Sequence, residues 1–234
     1  MRWRAAACPL RASSGSGTLR QAGPLLPCPP TVRGPLCPRP DPWQIRGLAG
    51  TSPAEQAILR GMLVRRERPG DERAIRRVHT AAFSPTADQL GAPPEVALVD
   101  NLRATRDWIA ELSLVAVDSG NIIGHVVCTR ARLVRRQPVL GLAPIGVLPE
   151  RQGVGVGHAL MHAVLGAADA LGESLVGVLG EPGYYARFGF RAATDVGVES
   201  PDPAWGDYFQ VRVLTAYEPA LTGRFSYAAP FQML

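Results

Sequence analysis

The chain has 234 residues, with 25 basic residues that are all arginine, 20 acids, 46% hydrophobic residues and four cysteines. This mix excludes a disulfide scaffold, and the lack of lysine excludes a Walker-A phosphate loop and a Schiff-base amine. The longest stretch free of formal charge, residues 152–168, holds two His and four Gly. It falls short of the ~20 apolar residues of a membrane span, so no membrane partner is expected.

The charge is unevenly placed. Residues 1–61 carry eight Arg against two acids, whereas residues 62–234 carry seventeen Arg against eighteen acids. A protein that tracks phosphates needs its basic residues on the binding domain itself, so no nucleic-acid partner is expected. Residues 1–61 also hold ten of the 22 prolines and no long apolar period, a composition that cannot offset its conformational entropy. They are read as a disordered Pro/Arg-rich N-terminal extension, with Met62 as the true or alternative start. Cys8, Cys28 and Cys37 each precede a proline, at spacings that match no metal-ligand pattern, and no metal is assigned.

Residues 62–234 are read as one domain. Residues 62–67 form a first strand, the Pro69-Gly70 turn follows, and Asp71 is placed to cap a helix in which Ile75, Val78 and Ala82 share a face and which ends near Phe83. A polar loop leads to a second helix over about residues 95–106. Two β-rich runs, 114–117 and 122–129, flank the turn Asp118-Ser119-Gly120-Asn121 and predict a hairpin. His79 and His125 are read as half-buried structural residues, and Arg130, Arg132, Arg135 and Arg136 as a solvated hairpin tip.

The next unit carries the chemistry. An apolar strand over 139–147 is followed by Leu148-Pro149-Glu150-Arg151-Gln152-Gly153-Val154-Gly155-Val156-Gly157, a helix over about 158–171 and a strand over 175–179. This is a βαβ unit with a glycine-rich loop at its strand-to-helix joint. Glycines at every second position let backbone N–H groups approach an anion at the positive end of the helix, so the site suits a pyrophosphate. A dinucleotide fingerprint G-x-G-x-x-G fails in both registers, because His158 and Leu160 stand where the third glycine belongs. Glu181 lies where a ribose-binding carboxylate is found, which keeps a nicotinamide or flavin enzyme as an alternative.

Gln152-x-x-Gly155-x-Gly157 resembles the acyl-CoA loop of the GCN5-related N-acetyltransferases (GNAT). Tyr185-Ala186-Arg187-Phe188-Gly189-Phe190 resembles the Tyr-x-x-x-Gly-Phe element of the same family, in the correct order. The likeness spans residues 62–234 and is strongest to a bacterial branch of predicted acetyltransferases. It implies an α/β fold: a mixed, mostly antiparallel sheet with a central parallel strand pair and a βαβ acyl-CoA unit, flanked by helices.

The resemblance further implies an acetyl-CoA-dependent N-acetyltransferase that transfers an acetyl group to a primary amine of a small molecule or peptide. The pyrophosphate is expected on Gln152, Gly153, Val154, Gly155, Val156, Gly157 and His158. The pantetheine arm is expected on the backbone groups of Ile145 and Val147, which requires the two parallel strands to splay. Tyr185 is the expected acid for the departing thiolate, with Tyr184 beside it read as packing. No Asp or Glu lies between Asp118 and Glu150, so the usual strand base is absent, and an ordered water, Glu181 or a carboxylate from the helix over 95–107 is the candidate in its place; Glu181 is otherwise read as a helix cap. That absence motivates an alternative, a CoA-binding regulatory module without turnover. His158 and His162 lie one turn apart, but with no third ligand apparent they are not assigned a metal. The protein is expected to be cytoplasmic, as a monomer or homodimer.

Overall fold

A computed structural model describes residues 61–84, 91–134 and 137–233. The expected disordered extension therefore lies outside the described residues except at Gly61, and so do Arg135 and Arg136. The elements in chain order begin with β1 (Met62–Arg66), α1 (Glu72–Phe83), α2 (Pro94–Arg103), β2 (Trp108–Asp118), β3 (Asn121–Arg132) and β4 (Pro138–Val147). They continue with α3 (Val156–Ala170), β5 (Leu175–Leu179), α4 (Pro182–Tyr185), β6 (Arg191–Ala192), β7 (Val198–Glu199), β8 (Phe209–Val213) and β9 (Gly223–Arg224). Among the described residues no helix is long and apolar enough to cross a membrane.

One sheet runs in the order β1-β2-β3-β4-β5-β8-β6, and β7 pairs with β9 in a second, small one. Within the large sheet every pairing is antiparallel except β4 with β5. The parallel pair is joined through α3, as a parallel crossover requires. This is the mixed, mostly antiparallel sheet with a central parallel pair and a βαβ unit that the sequence led us to expect.

The strands alternate between two faces. Leu112, Leu114, Val126, Leu140, Leu142, Val176 and Val178 pack on one face against Leu160, Met161, Val164, Leu165 and Ala168 of α3. Those α3 positions recur at helical spacing, and each large side chain so buried contributes roughly 1.5 to 3 kcal/mol. On the other face, Ile75 and Val78 of α1 and Val99 of α2 cover Val115 and Ile122. Phe209, Phe225 and Val211 close that same face further along the sheet.

Several expectations shift. The second helix spans Pro94–Arg103, and the hairpin strands are longer than their β-rich cores because ladder pairing recruits polar flanks. Asp71 occupies the N-cap position of α1 without capping it: its carboxylate is taken by Arg65, at 2.6 and 3.1 Å, and by the Arg68 N–H. Arg130 and Arg132 are not a free basic tip. Arg130 grips Glu173 through two bonds of 2.6 and 2.8 Å, and Arg132 pairs with Asp107 at 2.8 Å.

Candidate functional site

The parallel pairing of β4 and β5 covers only Leu140↔Val176, Gly141↔Gly177 and Leu142↔Val178. Beyond Leu142, β4 runs on to Val147 without β5 as a partner. The cause is local. Val126 pairs with Ile145 and Cys128 with Leu142, so β4 carries one residue more than β3 in this interval, at Ala143–Pro144. Such a bulge bends the strand that contains it, and Pro144 has no N–H to offer a neighbour.

The open edge presents specific groups. The Leu148 N–H donates to the Ile123 carbonyl at 3.0 Å. By the alternation of an antiparallel ladder, Gly146 then faces β3, while Ile145 and Val147 turn their N–H and C=O groups to the unpaired side. The Val147 carbonyl accepts from Gln152 Nε2 at 3.0 Å, which ties the loop back to the strand end.

Above this edge the loop turns into α3. Gly155 stands at the N-cap with φ of 92°, and Gly153 has φ of 78°. A Cβ at Gly153 would meet no atom within 4 Å, so the space in front of it is open. The α3 N-terminus has neither a side-chain cap nor an acidic residue in its first turn. Among the described residues no backbone carbonyl takes the N–H groups from Gly153 to His158, which suits them to an external acceptor. A Cβ at Gly157 would lie 3.0 Å from the Tyr184 hydroxyl, which places that phenol over the first turn of α3. His158 packs on Phe188 with ring centroids 5.0 Å apart, and burial, with Arg187 and His162 nearby, lowers its pKa. The His158 and His162 rings stack at 6.4 Å. Arg151 is held by Asp118 at 3.0 Å.

Tyr185 closes the other wall. It is 7% exposed and packs among the α3-side core residues. Its ring lies against Gly180, where a Cβ would collide with Cε2. Burial, reinforced by Tyr184 and Cys128, pushes its phenol well above the ordinary range, so it stays protonated. Glu181 is exposed at the N-cap position of α4 and makes no side-chain capping bond; its carbonyl accepts from Tyr184 and Tyr185 instead. The glycine loop thus adjoins the open edge through the Gln152–Val147 bond, Tyr184 lies over the first turn of α3 with Tyr185 packed against it, and Glu181 is exposed.

Two features escape sequence reasoning. His79 and His125 are fully buried rather than half-buried, because they satisfy each other: His79 Nε2 lies 2.8 Å from His125 Nδ1. His125 Nε2 meets Ser113 Oγ at 3.0 Å, Ser113 donates to Glu67, and Arg103 Nε donates to Glu67 at 2.9 Å. Ser113, a polar residue inside an apolar strand, is the one signal of this chain of bonds in the sequence. The second feature is a cavity lined by Ala143, Leu179, Trp205, Tyr227 and Phe231, where β4 and β5 begin to part. Pro144 within an apolar run marks the bulge, but nothing in the sequence announces Trp205 or Tyr227 beside it.

A family model for the acetyltransferase (GNAT) family matches residues 81–190. Over 167 residues the chain is 35% identical to the uncharacterized N-acetyltransferase YjhQ of Escherichia coli (strain K12), covering 68% of this chain and 88% of that protein. A crystal structure of a GNAT family acetyltransferase from Brucella melitensis in complex with acetyl-CoA is similar at 35% identity. Its TM-score is 0.60, over 73% of this chain and 97% of that one. The crystal structure of YhbS from Escherichia coli in complex with CoA is similar at 28% identity and a TM-score of 0.64, over 73% of this chain and 92% of that one.

Proposed function

Because this chain belongs to the acetyltransferase (GNAT) family, we propose that it transfers the acetyl group of acetyl-CoA to a primary amine of a small molecule or peptide by direct attack. The observation that carries this reading is the end of β4–β5 pairing at Leu142↔Val178 beneath the glycine loop. It leaves an unpaired strand edge and a helix N-terminus in one cleft, which fits an extended thioester arm ending in a pyrophosphate. Similar structures that hold acetyl-CoA and CoA support that ligand.

In this reading the N–H groups from Gly153 to His158 take the pyrophosphate, with Gln152 holding the loop in place. Backbone groups of Ile145 and Val147 take the pantetheine arm as an added strand. Acetyl-CoA supplies an activated acetyl carbon on sulfur. The Val147 N–H polarises the carbonyl oxygen as charge builds on it. The amine nitrogen forms a bond to the acetyl carbon, the carbon–sulfur bond breaks with its electron pair on sulfur, and Tyr185 gives the sulfur its proton. Burial keeps this phenol in the protonated form from which such a donation starts. Glu181, exposed beside the cleft, takes the proton that the nitrogen sheds, through solvent.

Titration calorimetry of acetyl-CoA into the full chain tests the ligand. Binding at micromolar affinity or tighter is expected, weakened at least tenfold by Gly155→Val. Absence of binding by folded protein overturns the reading.

A further inference from the structure

Gly141 and Gly177 face each other across the parallel pair, and each leaves room for an aromatic ring. A Cβ on Gly141 would lie 2.7 Å from Tyr227 Cδ1, and one on Gly177 would lie 2.6 Å from Phe225 Cε2. The two rings therefore pack against the sheet backbone, edge to face with each other, on the face opposite Tyr185. This seating carries the Tyr227 phenol to the point where β4 and β5 part. There its hydroxyl is buried beside the Leu179 backbone without a well-formed hydrogen bond.

A buried hydroxyl that lacks a well-formed bond is destabilising, so its position suits a ligand that offers one. The cavity it lines also contains Ala143, Leu179, Trp205 and Phe231, and no charged side chain. Burying a second ammonium or a carboxylate here would find no counter-ion, whereas an aromatic body finds ring faces and one polar group. The same apolar lining favours the neutral form of an amine, which is the nucleophilic form.

Resting on the reading of this cleft as an acetyltransferase site, we propose that this cavity, about 40 Å³ in volume, is the acceptor subsite and takes the amine-bearing end of an aromatic monoamine, hydrogen-bonded to the Tyr227 hydroxyl, while the aromatic body lies outside it. Trp205 and Phe231, both half-buried, form the rim against which the body stacks.

The test measures CoA thiol release by the full chain, with saturating acetyl-CoA, for 2-phenylethylamine against spermidine. The aromatic monoamine is expected to have at least ~100-fold higher kcat/KM, since each unpaired buried charge is costly. Tyr227→Phe is expected to raise the KM for 2-phenylethylamine about tenfold, the loss of one hydrogen bond to a buried group, while acetyl-CoA affinity by calorimetry stays unchanged and the thermal midpoint does not fall. Preference for spermidine, no turnover of the aromatic monoamine by protein that binds acetyl-CoA, or an unchanged KM in Tyr227→Phe each overturns the assignment. Failure to bind acetyl-CoA overturns the acetyltransferase reading instead.

Discussion

His79 Nε2 and His125 Nδ1 lie 2.8 Å apart in the interior, and the bond between them can run in only one direction. Burial raises the Glu67 pKa, but His125, Ser113 and Arg103 outweigh it and hold the carboxyl below its usual range, so Glu67 is an ionised, acceptor-only group. Ser113 must donate to it, and so accepts from His125 Nε2–H. His125 Nδ1 is then an acceptor, filled by His79 Nε2–H. Both rings are neutral, and His79 Nδ1 remains a buried lone pair without a partner over Gly146.

This arrangement sets a pH dependence. Burial lowers the pKa of both histidines in the folded protein. A histidine depressed on folding binds its proton only in the unfolded chain over the range below its unfolded pKa of ~6.5. Stability is therefore complete above that value and is lost as pH falls below it, by up to about 1.4 kcal/mol per pH unit for each ring. Glu67, lowered on folding, adds a loss below its own unfolded pKa. Denaturant unfolding at pH 7.5, 6.5 and 5.5 is expected to show a falling free energy, and His79→Leu is expected to flatten the slope between pH 6.5 and 5.5. A pH-independent stability over this range would contradict the assigned protonation states.

Gly155→Val separates loop geometry from side-chain chemistry. At φ of 92° a β-branched residue is strained by about 1 to 3 kcal/mol, and the backbone would relax out of the turn that opens α3. A lower thermal midpoint and at least tenfold weaker acetyl-CoA binding are expected together. Gly166→Ala lies mid-helix in α3 with open space around it. It is expected to leave binding unchanged and to stabilise by roughly 0.5 to 1 kcal/mol.

Much of this site was legible because its parts are local in the chain. Gly153 to Gly157 lie between a strand and a helix that are each periodic on their own, so a reader of the sequence meets the loop and its context at once. Tyr185 is announced by the Gly189-Phe190 that follows it. The buried chain was not legible, since Glu67, His79, Ser113 and His125 come from four segments whose meeting depends on sheet order. Each alone reads as an ordinary polar residue. Asp71 misled for a different reason: its position before α1 is that of a cap, but Arg65 on the preceding strand offers the carboxylate a stronger partner.

Tyr185→Phe removes one hydroxyl and little volume. If the phenol protonates the leaving thiolate, kcat falls by about 10²-fold or more while acetyl-CoA affinity stays within twofold. The ring continues to fill the space against Gly180 and Phe190, so the thermal midpoint is expected to change little. Stopped thiol-release assays paired with calorimetry on the same preparation make the distinction. An unchanged kcat would show that the hydroxyl serves packing alone.

Gly177→Ala tests whether the aromatic pair is seated by the two glycines. The added methyl would lie 2.6 Å from Phe225 Cε2 and 2.8 Å from Cζ, closer than carbon atoms approach, and Phe225 is itself 1% exposed with no free side to retreat into. Overpacking of this kind costs about 1 to 3 kcal/mol. Because Phe225 and Tyr227 are in ring contact at 4.8 Å, a shift of the first ring moves the second. Gly177→Ala is therefore expected to lower the thermal midpoint and also to raise the KM for the amine, although residue 177 does not line the cavity. Acetyl-CoA affinity should change less than amine KM, since the glycine loop lies beyond the part of β4 that touches these rings. Loss of stability with an unchanged amine KM would show that Tyr227 holds its place independently of Phe225.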